Sequence, residues 1–314
     1  MSDSNKKILV TTYPNPDLDG LSCSLAYAEF LNKTGREAIF GIFGVPHREA
    51  QYVLDKFNIK INRLKSLLKG YDNIILVDAS DLGALPNGVK PEQVIEIIDH
   101  RKITEIEKFV NAKIQIELVG ACATLIAEKF RQNDIAISET SARLLYPAIA
   151  SNTINFQGKL TTDRDRNAAE WLTKQAEFPA NFIHDIFAAK SNITKPLKDV
   201  LLGDFKAEAF NGIKIGIAQL EIINTNVYIK NNLQEIIKIL GEIKEQKSLD
   251  YIFLNGLDLE DAGNTFVAPE ESDRKLLELT LNIKFHNCLA RYDRLIMRKE
   301  ISPLIKKAIE DEKI

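Results

Sequence analysis

Cysteine is scarce: Cys23, Cys122 and Cys288 are odd in number, far apart and never arranged as CxxC. That argues against a disulfide framework or a thiolate zinc site and predicts buried free thiols. No run approaches the ~20 apolar residues that span a bilayer. The opening MSDSNKKILV lacks the apolar core and cleavage site of a secretory signal, so the expected location is the cytoplasm, with no membrane partner. Charge excess is missing too, since 41 Lys plus Arg face 44 Asp plus Glu for a net charge of -3. Without a basic field, nucleic acid is not an expected partner, and any polyanion must be met locally. The aromatics, including the single Trp171, form no stripe on which a nucleic-acid strand could stack. A GxGxxG after a strand and a GxxxxGK[ST] are both absent, which removes support for a dinucleotide fold and a P-loop.

What is present is an ordinary soluble composition over 314 residues, 45% hydrophobic and 27% charged, enough for two domains. Short β-rich apolar runs at 8–10, 38–43, 74–77, 94–98 and 114–118 alternate with helical spacing at 21–31, 49–57 and 123–130. Such alternation predicts an α/β domain: a mostly parallel sheet with helices on both faces. Residues 138–188 read as mainly helical, including 141–150 and 165–175. The polar AAKSNITKP at 188–196 is the linker candidate. A smaller α/β domain is expected beyond it, with a helix, a strand at 213–223, a long helix at 233–247, a strand at 251–254 and helical segments to the end. The expected boundaries are 1–189 and 190–314.

Three apolar strands of the first domain end in acidic or imidazole residues: ILV then TTYPNPDLDG gives Asp17 and Asp19, IILVD gives Asp78, and VIEIIDHRK gives Asp99 and His100. The carboxyl ends of parallel strands line one edge, so these five residues can converge although scattered in sequence. Gathered carboxylates repel and raise each other's pKa unless a cation neutralises them, and an Asp-rich set with one imidazole suits Mn²⁺ or Mg²⁺. The bland alternative is that each Asp caps the turn or helix after its strand. DLDG also superficially suits the haloacid dehalogenase phosphatases, but there the nucleophilic Asp directly follows the strand, whereas here TTYPNP intervenes. His47, in GVPHREAQ, falls near the expected sheet edge, while His184 and His286 sit in helical contexts and read as structural. Residues 120–124 open a helix whose backbone N–H groups could face an anion.

The order NPDLDG, LVD, DHR, VGACATLIAEKF and LLYPAIASNTINF resembles a DHH phosphoesterase, and most closely a manganese-dependent, family II inorganic pyrophosphatase. GDFKAEAF, IGIAQLE and LIMRKEISP extend the resemblance over nearly the whole chain. It implies one or two Mn²⁺ or Mg²⁺ ions at the sheet edge, with Asp17 on one, Asp19 and His100 on the other and Asp78 bridging, and Asp78, Asp99, His100 and Arg101 forming the catalytic set. It implies a carboxy-terminal domain that brings Lys206, Arg298 and Lys299 onto the phosphates of a small substrate, pyrophosphate or short polyphosphate, in the cleft between domains. A homodimer through a sheet edge of the first domain is implied as well.

The sequence departs from the family pattern where the latter has a ligating His, here Tyr13, and a ligating Asp, here Asn152. A protonated phenol is a poor ligand and an amide offers only a neutral carbonyl oxygen, so Asn152 is a weak ligand and metal binding is weakened. Arg101 replaces the second His of DHH and supplies a permanent, bidentate cation for phosphate. Together with DLD it is similar to the exopolyphosphatase and prune branch. Pyrophosphate, short polyphosphate, a small phosphoester, and a non-catalytic protein that binds a phosphorylated ligand all remain open at this point.

Overall fold

The computed structural model describes residues 7–66, 71–100 and 105–311. The chain divides after Ala189 into two compact units. Arg101, expected to grip phosphate, lies outside the described residues.

The first unit runs β1 (Ile8–Thr11), α1 (Leu18–Lys33), β2 (Ala38–Phe40), β3 (Ile42–Phe43), α2 (Arg48–Lys56), β4 (Arg63–Leu64), β5 (Asn73–Val77), β6 (Val94–Asp99), β7 (Lys113–Ile116), α3 (Cys122–Gln132), α4 (Glu139–Asn152), α5 (Asp163–Thr173) and α6 (Phe182–Ser191). Its main sheet has the order β2-β1-β5-β6-β7 with every pairing parallel, as the alternation predicts. Successive β1 residues point to opposite faces, and both faces are covered. Ile8 and Val10 pack with α1, α3 and α4 through Leu21, Ile126 and Leu145. Leu9 packs with Phe43, Leu64 and Phe109 on the other side. The carboxyl ends of β1, β5 and β6 share one edge because parallel pairing aligns them.

The single strand expected at 38–43 is two. Gly41 still donates its N–H to Val10, but a Cβ there would lie 2.5 Å from Leu64 Cδ1. The chain turns at this residue and β3 pairs with β4 in a separate two-stranded sheet. The polar stretch expected as a linker is partly helical, since α6 continues to Ser191.

The second unit runs α7 (Leu197–Gly203), β8 (Phe205–Phe210), β9 (Ile213–Ile222), α8 (Thr225–Asn231), α9 (Leu233–Lys247), β10 (Tyr251–Asp258), β11 (Asn264–Val267), α10 (Glu271–Leu281), β12 (Leu289–Tyr292) and α11 (Arg298–Glu310). Its mixed sheet has the order β12-β11-β10-β9-β8, with β9 and β10 parallel and the remaining pairs antiparallel. Three strands, β8, β11 and β12, stand where the sequence suggested none. The short β11 and the outer strand β12 are defined by their antiparallel ladder partners rather than by their own pattern, whereas β8 forms a hairpin with β9 through Asn211-Gly212, both at positive φ, a local turn signal. His286 is accordingly not helical: it sits exposed in the tight turn before β12, bonded to Leu289 through the backbone. Cys23 and Cys122 are buried free thiols, but Cys288 is only half-buried, which corrects the expectation for that residue. Among the described residues no helix is long and apolar enough to cross a membrane.

Candidate metal centre

The carboxylates and the imidazole of the site follow strand ends, and each residue is held by hydrogen bonds to the surrounding backbone. After β1, Asp17 caps α1, its carboxylate accepting the Gly20 N–H at 3.0 Å. The capping role is thus realised for this Asp. Gly20 is small of necessity, because a Cβ there would lie 2.6 Å from Thr12 Oγ1. One turn in, Asp19 is buried against the start of α3 and accepts the backbone N–H groups of Cys122 and Ala123, each at 2.8 Å. The helix opening at 120–124, expected to offer N–H groups to an external anion, therefore spends them on the protein's own carboxylates. Asp165 takes the Gly120 N–H with both oxygens, at 2.9 and 3.0 Å, and the Thr124 hydroxyl at 2.6 Å. Sequence reasoning missed Asp165, although Thr162 and Asp165 carry the Thr-x-x-acidic signature of a reciprocal helix cap, which the structure contains.

Asp78 follows β5 in the left-handed region, at φ 54°. A non-glycine residue there carries strain of about 1–3 kcal/mol, which tertiary packing must hold in place. Its N–H donates to Ile98 on β6 at 2.9 Å. His100 follows β6, and its Nδ1 lies 2.9 Å from the Val119 carbonyl oxygen. A carbonyl only accepts, so Nδ1 carries hydrogen and, in the neutral ring, the lone pair is on Nε2. Nε2 faces inward, 3.5 Å from Asp78 Oδ1 and 3.9 Å from Asp19 Oδ2. Asp19, Asp78 and His100 offer ligand atoms all within 4.8 Å of one another, the geometry of a site that can gather around one divalent cation. The donor set of two hard carboxylates and one imidazole fits Mn²⁺ or Mg²⁺.

Electrostatics point the same way. Burial, and then the charge of Asp78, raises the carboxyl pKa of both Asp17 and Asp19, the latter strongly. Burial alone would lower the His100 imidazole, but its contact with Asp78 and the charge of Asp19 outweigh it and push it up to about 9. The pocket thus holds more negative charge than it can stabilise without a cation.

The other predicted residues are placed as follows. Asp99 is buried, and its oxygens accept from the Ser80 hydroxyl at 2.5 Å and from the His100 N–H at 2.7 Å. It braces the His100 backbone. Asn152, the last residue of α4, donates Nδ2–H to Asp19 Oδ2 at 2.8 Å, presenting to the centre a donor rather than a ligand. Its position is fixed next door by Ser151, whose hydroxyl donates to buried Glu49 of α2 at 2.6 Å. The Tyr13 hydroxyl accepts the Asp17 N–H at 3.3 Å. Burial and the charges of Asp17 and Asp78 hold its phenol well above the ordinary value, so it stays protonated. His47 is exposed at the start of α2, within electrostatic reach of Asp17, and its N–H donates to Pro16 at 2.8 Å.

In the second unit Lys206 on β8 is exposed and 3.0 Å from Glu208. Arg298 opens α11, with its guanidinium on the Asp204 carbonyl at 2.8 Å and carboxylate at 2.6 Å. Lys299 is exposed beside it, and its charge reaches Glu221.

Comparison with known proteins places these features in a family. The DHH family, N-terminal domain, matches residues 7–149, and the DHHA2 domain matches residues 184–308. A manganese-dependent inorganic pyrophosphatase of Methanothrix thermoacetophila is 31% identical over 304 residues, 95% of this chain and 97% of that protein. The crystal structure of a Methanococcus jannaschii protein placed by name among the family II inorganic pyrophosphatases is 26% identical, with a TM-score of 0.74 over 97% of this chain and 99% of that one. With strand-end carboxylates and an imidazole in the first unit and a DHHA2 sheet in the second, the chain belongs to the DHH phosphoesterases, in the lineage of the manganese-dependent, family II inorganic pyrophosphatases.

Proposed function

We propose that this protein is a divalent-metal-dependent hydrolase of phosphoanhydrides, with pyrophosphate as its preferred substrate. The observation that carries the reading is the convergence of Asp19, Asp78 and His100 with Nε2 of His100 turned inward. These three residues hold the cation, and Asp17 supplies a further carboxylate beside them. A divalent ion bound there supplies Lewis-acid charge to a phosphoanhydride and acidifies a water molecule near neutral pH. The protein's own part is orientation: Val119 fixes the imidazole tautomer, Asp99 and Ser80 fix the backbone at His100, and the α3 N–H groups fix Asp19. Arg101, Lys206, Arg298 and Lys299 are the phosphate-binding cations, needed because a phosphoanhydride carries more negative charge than the metal centre neutralises.

The departures at Tyr13 and Asn152 bear on stoichiometry. The protonated Tyr13 phenol disfavours a second ion beside Asp17, so the chain binds one ion tightly, and the Asn152 amide nitrogen on Asp19 weakens the site that remains without removing it. Metal-stripped protein, reloaded with Mn²⁺ or Mg²⁺, is to be assayed for phosphate release from pyrophosphate, tripolyphosphate and a nucleotide side by side. Release from pyrophosphate in strict dependence on the metal supports the reading. Preference for tripolyphosphate moves the chain to the exopolyphosphatase side, and release from none of the three leaves a phosphate-ligand-binding protein in its place.

A further inference from the structure

The second unit buries a continuous run of side-chain amides with no part in its apolar core. Asn255 on β10 and Asn264 on β11 are 0% exposed and Gln219 on β9 is 7% exposed. Asn255 and Gln219 are opposite one another on neighbouring parallel strands. Asn264 Nδ2 donates to Asn255 Oδ1 at 2.5 Å and to the Ile296 carbonyl at 2.7 Å, and its Oδ1 accepts the Ile296 N–H at 3.0 Å. Asn255 Nδ2 donates to the same Ile296 carbonyl at 3.0 Å and to Gln219 Oε1 at 3.4 Å. Gln219 Oε1 also accepts the Arg298 N–H at 2.8 Å, while its Nε2 donates to Asp204 at 3.2 Å and Glu221 at 2.9 Å.

A buried amide left unsatisfied costs about 1–3 kcal/mol, and a well-packed leucine at the same place carries no such risk. Every oxygen and nitrogen of the three amides is nonetheless engaged, and their bonds converge on one stretch of backbone, 296–298. The N–H groups of Ile296, Met297 and Arg298 go to Asn264, Glu300 and Gln219 in turn. The start of α11 therefore has these N–H groups already taken, and an anion arriving there must be met by side chains. Asp204 closes the arrangement by accepting from Gln219 with one carboxylate oxygen and from the Arg298 guanidinium with the other and with its carbonyl.

We propose that Gln219, backed by Asn255 and Asn264, is a positioning residue that fixes the backbone and guanidinium of Arg298 for binding a phosphate group. This rests on the reading of Arg298 as a phosphate-binding cation. Loss of positioning costs as much as loss of the cation itself, since a displacement of about 1 Å in a charged clamp lowers catalysis by about 10²-fold. The effect must also be non-additive with removal of Arg298, because Gln219 has nothing left to position once the guanidinium is gone.

The test is a double-mutant cycle with Gln219→Met, which keeps the volume and loses the amide, and Arg298→Ala. Each variant is measured for kcat and KM on pyrophosphate with Mn²⁺, for Mn²⁺ affinity, and for calorimetric binding of inorganic phosphate. Gln219→Met is expected to lower kcat/KM by about 10²-fold with Mn²⁺ affinity unchanged. The double variant is expected to be no worse than Arg298→Ala alone. Independent, multiplying losses in the cycle overturn the proposal, as does wild-type kinetics in Gln219→Met. Should Gln219→Met not fold, the pair Asn255→Leu with Asn264→Leu runs the same cycle from the far end of the chain of amides, where non-additive loss again supports the proposal and multiplying loss overturns it. An inactive wild type overturns the proposed function alone, and the phosphate-binding cycle then decides this inference by the same criterion.

Discussion

Replacing Asn152 by Asp exchanges a hydrogen-bond donor for a second negative charge beside Asp19. The wild-type amide is 2.8 Å from Asp19 Oδ2, and a hydrogen bond to a charged group contributes about 1.5–3 kcal/mol. The new carboxylate instead repels Asp19, and two unit charges about 4 Å apart interact by roughly 4 kcal/mol at an effective dielectric near 20. Side-chain relaxation and proton uptake relieve part of this, so the metal-free variant is expected to lose about 3–5 kcal/mol near neutral pH. For a unit of this size that corresponds to a fall in Tm of roughly 10 °C. Adding Mn²⁺ reverses the order, because the carboxylate becomes a ligand, and affinity should rise at least about tenfold, or 1.4 kcal/mol. Thermal unfolding of chelator-treated protein titrated with Mn²⁺ reads both effects, since a ligand that binds only the folded state stabilises it by an amount that grows with the logarithm of its concentration over Kd. Asn152→Ala serves as the control, losing the donor without adding charge. A metal-free Asn152→Asp as stable as wild type, or one that binds Mn²⁺ no more tightly, would refute the argument that Asn152 stands in for a cation at Asp19.

His100→Ala should abolish tight Mn²⁺ binding, checked by calorimetry, whereas Asn152→Ala should not. Arg298→Ala and Lys206→Ala should each lower kcat/KM for pyrophosphate by orders of magnitude with Mn²⁺ affinity unaltered, as expected of groups that meet only the substrate. Glu29→Gln should destabilise the first unit by about 1–3 kcal/mol at neutral pH, because Glu29 accepts from the Ser138 N–H and hydroxyl and the Ser141 hydroxyl at the start of α4 and pairs with Lys33. Burial works to raise the Glu29 carboxyl, but the Lys33 and serine bonds outweigh it and hold the pKa below its ordinary value. A carboxyl depressed in the folded state stabilises above its unfolded pKa and loses that contribution as pH falls through the folded value. Wild-type and Glu29→Gln stability should therefore converge as pH falls through the depressed folded value, and a gap that persists in acid strong enough to protonate the folded carboxyl would count against the charge as its source. Gly120→Ala should destabilise by about 1–3 kcal/mol in denaturant unfolding, because a Cβ there would sit 2.4 Å from Thr153 Cγ2 and 2.9 Å from Asp165 Oδ2.

The sequence by itself determined that the first unit is a parallel α/β fold and that Asp17, Asp19, Asp78, Asp99 and His100 follow its strands. Apolar runs of strand length, each closing on a polar residue, are local signals, and parallel pairing carries their ends to one edge whatever the details. Only the tertiary structure decided what each side chain does on arrival. Asp17 has its N-capping bond within its own turn, whereas Asp19 is held by amides more than a hundred residues away. Asp99 is spent on Ser80 and on the backbone of its neighbour, and Asn152 presents nitrogen rather than oxygen because a carboxylate faces it. The strands β11 and β12 escaped for the same reason, since their identity lies in ladder partners and not in their own residues, whereas β8 was legible in the Asn211-Gly212 turn that joins it to β9. Propensity and periodicity are properties of neighbours along the chain. Hydrogen-bond satisfaction in a buried site is a property of neighbours in space, and the two coincide only where the contact is local.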